Sequence, residues 1–165
     1  MKKIKGCAKV EPIITLSNVS KSFQLQHIVK NLSLSIPKGS LYGFLGPNGA
    51  GKTTTMRILI GLIAADEGEI LFKGKSIKNW NKSLFNQVGC FIDTPSYYPN
   101  LTAYENLAYI QRITDKPLSE VERVLKVTGI YHAKDKKVKN FSMGMKQRLG
   151  LAIAMLNDPE VLILD

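Results

Sequence analysis

A glycine-rich loop set between an apolar run and a helical pattern constrains this chain more than any other feature. Residues 46–54 read Gly-Pro-Asn-Gly-Ala-Gly-Lys-Thr-Thr and fit the pattern G-x-x-x-x-G-K-[ST]. The apolar run 41–45 before the loop predicts a buried strand. Four apolar residues after the loop recur at helical spacing: Met56, Leu59, Ile60 and Ile63. The order strand, loop, helix is the context in which this pattern binds nucleotide phosphates.

The chemistry of the loop follows from its backbone. Glycines let consecutive N–H groups turn toward one anion, and the helix N-terminus adds the positive end of its dipole. All nine residues are candidate phosphate-site residues: Gly46, Pro47, Asn48, Gly49, Ala50, Gly51, Lys52, Thr53 and Thr54. Lys52 would reach the β- and γ-phosphates, and the Thr53 hydroxyl would ligate Mg²⁺. A chance glycine-rich turn is the alternative, and it would match in only about one chain in a hundred of this size.

The charge balance restricts the classes of partner. The chain has 23 Lys and Arg against 13 Asp and Glu, a net charge of +10. The lysines are scattered, which favours a solvated surface over an anionic partner, and we expect no nucleic acid to bind. No apolar stretch reaches the roughly 20 residues of a membrane span. Residues 1–10 lack the apolar core of a signal peptide, so we expect a cytoplasmic chain.

The remaining pattern predicts a mixed α/β domain. Strands are predicted at 13–16, 32–36, 69–72, 88–92 and 161–164, and helices from 102 onward and over 118–127. The helical stretch predicts a helical subdomain at about 102–140, inserted in a core formed by 11–101 and 141–165. Cys7 and Cys90 have no metal-binding spacing, and Cys90 is expected to be a reduced, buried thiol within its apolar run.

A second motif begins a helical pattern near the end of the sequence. Residues 140–148 read Asn-Phe-Ser-Met-Gly-Met-Lys-Gln-Arg, in which Ser142 can cap the helix and Gly144 keeps N–H groups accessible. Taken alone, a serine at a helix start is usually only a cap. The apolar run 161–164 then ends at Asp165, where phosphate-loop enzymes place an aspartate that supports Mg²⁺. Domains rarely end on a buried apolar strand, so we expect a C-terminally incomplete chain.

In this order the motifs resemble the nucleotide-binding domain of ABC (ATP-binding cassette) proteins, over residues 13–165. The resemblance implies an α/β fold of the P-loop NTPase type, with a mixed sheet core and an inserted helical subdomain. It implies ATP and Mg²⁺ as ligands and ATP hydrolysis coupled to transport. It also implies a homodimer or pseudo-dimer of such domains, arranged head to tail. The dimer would lie at the inner face of the cell membrane, beneath a membrane-spanning transporter subunit.

The resemblance also assigns roles outside the phosphate loop. Phe23 matches the aromatic position that stacks on adenine, although sequence alone favours a core aromatic there; stacking on a base is worth about 1–3 kcal/mol. Ser142 and Gly144 match the signature that contacts the γ-phosphate held by the opposite subunit. Met143 and Met145 depart from its usual form, Leu-Ser-Gly-Gly-Gln.

Further matches concern the metal and the catalytic base. Asp165 matches the aspartate that supports Mg²⁺. Asp93 occupies the position of the family's metal-sensing glutamine and is a second candidate metal residue. The general-base glutamate would follow Asp165, so no catalytic residue is assigned, and we expect the 165 residues alone to fold poorly and hydrolyse no ATP.

An acidic residue at position 93, together with Phe-Ser-Met-Gly-Met-Lys-Gln-Arg, resembles exporters of peptide antibiotics, the bacitracin-resistance and lantibiotic-immunity type. In such proteins the loop that follows contacts the membrane subunit. Tyr97 and Tyr98 are candidates for that contact, or else they close the core. Two alternative functions stay open: a soluble ABC protein acting on ribosomes or nucleic acid, and an inactive nucleotide-binding remnant.

Overall fold

The chain divides into two compact units, residues 1–80 and 81–165. A computed structural model describes residues 11–79, 86–92, 97–114 and 116–165. None of the helices in these ranges is long and apolar enough to cross a membrane. The finer division into a core and a helical subdomain at about 102–140 stays a prediction.

The first unit is built on an antiparallel sheet. Its elements are β1 (Pro12–Phe23), β2 (Gln26–Pro37), α1 (Lys52–Leu59), β3 (Glu67–Phe72), β4 (Lys75–Ser76) and a 3₁₀ turn (Ile77–Asn79). The strands lie in the order β2-β1-β3-β4. Apolar residues from β1 and β3, among them Leu16, Val19 and Phe72, are almost fully buried. This confirms the strands expected at 13–16, 32–36 and 69–72.

A bulge in β1 interrupts its pairing with β3. The register between β1 and β3 shifts between Ser17 and Ser20. Opposite the bulge, Gly68 has φ +85°, and a Cβ there would lie 2.5 Å from the carbonyl oxygens of Ser17 and Asn18. Only glycine fits this close approach of two backbones.

The second unit combines a two-stranded parallel sheet with helices. Its elements are β5 (Val88–Phe91), α2 (Ala103–Thr114), α3 (Ser119–Val127), two 3₁₀ turns (Tyr131–Ala133 and Val138–Asn140), α4 (Met143–Met155) and β6 (Val161–Leu164). One apolar cluster joins the three helices and includes Leu107, Val124, Leu125 and Leu149. Helix α4 packs so closely on β5 that a Cβ on Gly89 would overlap the carbonyl oxygen of Ala154. The predicted strands and helices of this half are therefore confirmed.

Three sequence-based expectations about local structure are wrong. Residues 41–45 form no strand, and Leu41 and Leu45 are almost fully exposed. A strand forms only when a neighbour accepts and donates its ladder hydrogen bonds, and among the described residues no strand pairs with this run. Helix α1 ends at Leu59, so Ile63 lies outside it, and its buried residues are Thr55 and Ile58.

The third error concerns Cys90, which is free and exposed. Alternate residues of a strand face opposite sides of the sheet, so the thiol lies on the side opposite Gly89, which is buried against α4. Partial desolvation of the sulfur raises the pKa of the thiol. Cys7 lies outside the described residues.

Candidate nucleotide-binding site

The glycine-rich loop is held in a conformation that only glycine adopts easily. Gly49 and Gly51 both have φ +82°. The N–H of Ala50 donates to the carbonyl oxygen of Pro47 at 3.2 Å and closes a turn. A Cβ on Gly51 would lie 2.6 Å from the carbonyl oxygen of Ile28 in β2. The backbone of β2 therefore supports the loop at the point where α1 begins.

The ammonium group of Lys52 lies within the curve of this loop. Its Nζ donates to the carbonyl oxygens of Gly46 and Pro47, each at 2.8 Å. Within the described part of the chain, the N–H groups of Asn48 and Gly49 have no hydrogen-bond acceptor. Exposed N–H donors around one ammonium form a donor set that suits a polyphosphate.

The hydroxyl residues that follow begin helix α1. Thr53 and Thr54 are half-buried in its first turn. The hydroxyl and the N–H of Thr55 both donate to the carbonyl oxygen of Gly51 at 2.8 Å. This pair of bonds fixes the helix N-terminus relative to the loop. The assignment of Thr53 to Mg²⁺ stays a prediction.

Phe23, the expected adenine-stacking residue, lies on the surface at the end of β1. Phe23 is 46% exposed, and the ammonium of Lys21 lies 5.4 Å from the centroid of its ring. Lys21 is fixed by a hydrogen bond to Asp66 at 2.6 Å, and the other carboxylate oxygen of Asp66 accepts from the N–H of Ser22 at 2.8 Å. These bonds, the one from Lys21 first, lower the pKa of Asp66. The ring is therefore not a core residue, and its role toward adenine stays a prediction.

The signature segment begins a helix in the second unit, as expected. Ser142 precedes α4 with extended backbone, and its hydroxyl accepts from the N–H of Met145 at 3.3 Å. This confirms the cap. Gly144 is exposed, with open space where a Cβ would lie, and Met143 is 74% exposed. The first turn of α4 is thus accessible, while the contact of Ser142 and Gly144 with nucleotide stays a prediction.

The candidate metal residues lie in different parts of the chain. Asp165 is exposed, and its N–H donates to the carbonyl oxygen of Phe91 at 3.0 Å, which extends the pairing of β6 with β5. Asp93 lies outside the described residues. Thr53 belongs to the first unit and Asp165 to the second. Their contribution to one Mg²⁺ site stays a prediction.

The sequence motifs missed a polar network at the start of α2. Thr102 and Glu105 form a reciprocal capping box: Thr102 N–H to Glu105 Oε2 at 2.7 Å, and Glu105 N–H to Thr102 Oγ1 at 3.1 Å. The first bond is the main cause of the lowered pKa of Glu105. The pattern Thr-x-x-Glu could have indicated this cap. No local pattern indicates the next residue, Asn106, which is 2% exposed.

The family comparison identifies the type of domain. The family model described as "ABC transporter" matches residues 29–165. The chain is 42% identical over 154 residues to the bacitracin transport ATP-binding protein BcrA of Bacillus licheniformis, covering 93% of this chain and 50% of BcrA. It is 39% identical over 153 residues to the lantibiotic transport ATP-binding protein SrtF of Streptococcus pyogenes, covering 93% of this chain and 66% of SrtF.

A solved structure gives the same result. The fold matches cbiO1 from Clostridium perfringens, part of the ABC transporter complex cbiONQ, with a TM-score of 0.82 and 28% identity. The match covers 94% of this chain and 65% of cbiO1. The chain spans about half to two thirds of the length of the curated relatives named above. Its glycine loop, its capped signature helix and these matches show that the chain belongs to the ABC transporter family, as part of an ATP-binding domain of the P-loop NTPase fold.

Proposed function

We propose that the full-length protein binds and hydrolyses ATP to drive export of a peptide antibiotic or a similar amphiphile. The observation that carries the ATP-binding step is the position of Lys52, whose ammonium lies within the glycine loop at 2.8 Å from two carbonyl oxygens. Support for the cargo class comes from the relatives, two of which are bacitracin and lantibiotic transport proteins.

The proposed roles of the residues follow from their positions. The N–H groups of Asn48 and Gly49 and the ammonium of Lys52 would bind the phosphates, since charge-assisted hydrogen bonds to phosphate are the strongest available here. Mg²⁺, when bound, would neutralise charge on the β- and γ-phosphates. The exposed first turn of α4, with Ser142 and Gly144, would contact nucleotide held by a second copy in a head-to-tail dimer.

The proposed membrane partner would contact the loop that leads into α2. Tyr98 is 53% exposed, and its ring meets that of Tyr109 edge to face, with centroids 5.3 Å apart. Tyr97 packs partly against the helical cluster instead. An exposed, braced tyrosine suits a contact with both apolar and polar character. We place the protein in the cytoplasm, at the inner face of the membrane, against a membrane-spanning subunit through Tyr98.

A binding titration tests the ATP site. In the full-length protein, Lys52→Ala should raise the dissociation constant for Mg-ATP at least tenfold, about 1.4 kcal/mol, because the phosphate charge loses its ammonium partner. Lys75→Ala, an exposed lysine of β4 in the same unit, is the matched control and should change the constant less than about twofold. Equal affinities for wild type and Lys52→Ala would refute the assignment of Lys52 to the phosphate site.

A resistance assay tests the cargo class. The full-length protein and its membrane subunit, produced in a bacitracin-sensitive bacterium, should raise the inhibitory concentration of bacitracin or of a lantibiotic, whereas Lys52→Ala should not. An antibiotic that is not a peptide is the control. Intact ATP binding without protection, together with co-sedimentation on ribosomes, would instead favour the soluble class of ABC protein.

A further inference from the structure

Asn106 is a buried amide that neither the phosphate loop nor the signature uses. Its Oδ1 accepts from the N–H of Tyr98 at 2.7 Å. Its Nδ2 donates to the carbonyl oxygens of Tyr98 at 3.1 Å and Thr102 at 2.8 Å. A side-chain amide carries a donor and an acceptor side by side, so Asn106 matches both backbone groups of Tyr98. At 2% exposure, little water can replace these bonds.

The same loop is also bonded to the segment that precedes the signature. The N–H of Lys139 donates to the carbonyl oxygen of Pro99 at 2.8 Å, and the N–H of Val138 donates to that of Leu101 at 3.0 Å. Val138 is fully buried, and Phe141, the residue before Ser142, is 6% exposed. Residues 98–102 and 138–141 therefore form one packed and hydrogen-bonded strap that ends at the cap of α4.

The exposed ring of Tyr98 is fixed at two points by one helix. Asn106 holds its backbone, and Tyr109, three residues further along α2, braces its ring at an interplanar angle of 82°. Residues three apart in a helix lie on the same face. Helix α2 thus presents Tyr98 to the solvent in one orientation.

We propose that Asn106 is a positioning residue for transport: it holds Tyr98 against the strap, so that contact of the membrane subunit with Tyr98 is transmitted to the start of α4 at Ser142. The inference rests on the proposed function, because it assigns Tyr98 to the membrane subunit. It predicts that breaking the hydrogen bonds of Asn106 uncouples transport from ATP turnover and leaves nucleotide binding intact.

The test compares two amide-to-acid substitutions in the same helix. Asn106→Asp keeps the shape of the side chain but replaces its two donors with a carboxylate oxygen facing two carbonyls. Gln111→Glu is the matched control, because Gln111 is fully buried and donates to the carbonyl oxygen of Leu156 at 3.1 Å, outside the strap. Full-length protein and its membrane subunit are reconstituted in vesicles with bacitracin as the probe cargo, and ATP hydrolysis, export and Mg-ATP affinity are measured.

We expect Asn106→Asp to lower the bacitracin exported per ATP at least fivefold while the dissociation constant for Mg-ATP stays within twofold. Gln111→Glu should lower the melting temperature and leave the export ratio unchanged. If Asn106→Asp fails to fold, Tyr98→Ala replaces it, because its side chain lies on the surface; it should lower the same ratio.

An unchanged ratio in folded Asn106→Asp or in Tyr98→Ala would overturn the inference. So would an equal fall in Gln111→Glu, since the effect would then be general loss of packing in α2. A wild-type protein that fails to bind ATP or to export would refute the proposed function itself, before any variant is compared, and the inference would fall with it.

Discussion

Similar apolar segments are exposed in the first unit and buried in the second. In the first unit, Leu41 and Leu45 are almost fully exposed, although they lie in an apolar run next to the phosphate loop. In the second unit, Leu107, Leu125 and Leu149 are fully buried. A helix satisfies its backbone hydrogen bonds within itself, whereas a strand depends on a neighbour. The comparison shows that apolar residues make a segment suitable for burial. Whether the segment is in fact buried depends on whether its backbone finds hydrogen-bonding partners.

The largest expected effect tests this difference in burial. Leu107→Ala should lower the free energy of unfolding by about 2–5 kcal/mol, because it opens a cavity in the helical cluster. Leu41→Ala should change it by less than about 0.5 kcal/mol, because its side chain touches little. Denaturant titrations of the full-length protein, followed by far-ultraviolet circular dichroism, measure both. Equal losses would show that 41–45 is packed in solution and that the contrast between the units is wrong.

A smaller effect tests how firmly the first unit supports its loop. Gly51→Ala should destabilise the chain by about 1–3 kcal/mol, since it places a side chain at positive φ and against the Ile28 carbonyl oxygen. Gly39→Ala is the matched control: Gly39 has φ +72° but open space at its Cβ, so only the conformational cost of about 1–2 kcal/mol remains.

The same two variants, Gly51→Ala and Gly39→Ala, also distinguish an effect on stability from an effect on ATP binding. Mg-ATP affinity of the full-length protein should fall at least tenfold in Gly51→Ala and stay within about twofold in Gly39→Ala. If the two variants lose equal stability and equal affinity, the contact with Ile28 does not hold the loop.

The smallest expected effect is on the stability of the fold at acidic pH. Asp66 in the first unit and Glu105 in the second both have pKa values lowered by hydrogen bonds, from Lys21 and from the Thr102 N–H respectively. A lowered folded-state pKa stabilises the fold above the unfolded-state value, about 3.9 for Asp and 4.3 for Glu. This stabilisation is lost as the pH falls through the folded-state value. Both carboxylates are on the surface, so the contribution of each is small.

Thermal unfolding between about pH 3 and about pH 7 measures this contribution. Asp66→Asn should reduce the fall in melting temperature of the first unit as the pH is lowered. Glu105→Gln should do the same for the second unit, where glutamine can still complete the capping box. The wild-type protein is the reference. If neither variant changes how the melting temperature falls at low pH, these hydrogen bonds do not govern the loss of stability in acid.

The features that sequence predicted correctly are those built from residues close together in the chain. The cap at Ser142 needs only an N–H three residues away, and the turn of the glycine loop is closed by its own backbone and by Lys52. The strand predicted at 32–36, within β2, follows from the period-two alternation along its run. Each of these is a local arrangement in which the residue type itself limits the backbone or supplies the partner.

The features that sequence did not predict depend on residues far apart. The state of 41–45 depends on a partner strand, and the exposure of Cys90 depends on which side of β5 helix α4 covers. The strap depends on Lys139 meeting Pro99 across 40 positions. Sequence determined the family, the turn of the glycine loop and most elements, because short-range geometry and residue chemistry are enough for them. Only the tertiary structure decided which faces are covered, because burial and long-range hydrogen bonds exist only once distant segments have met.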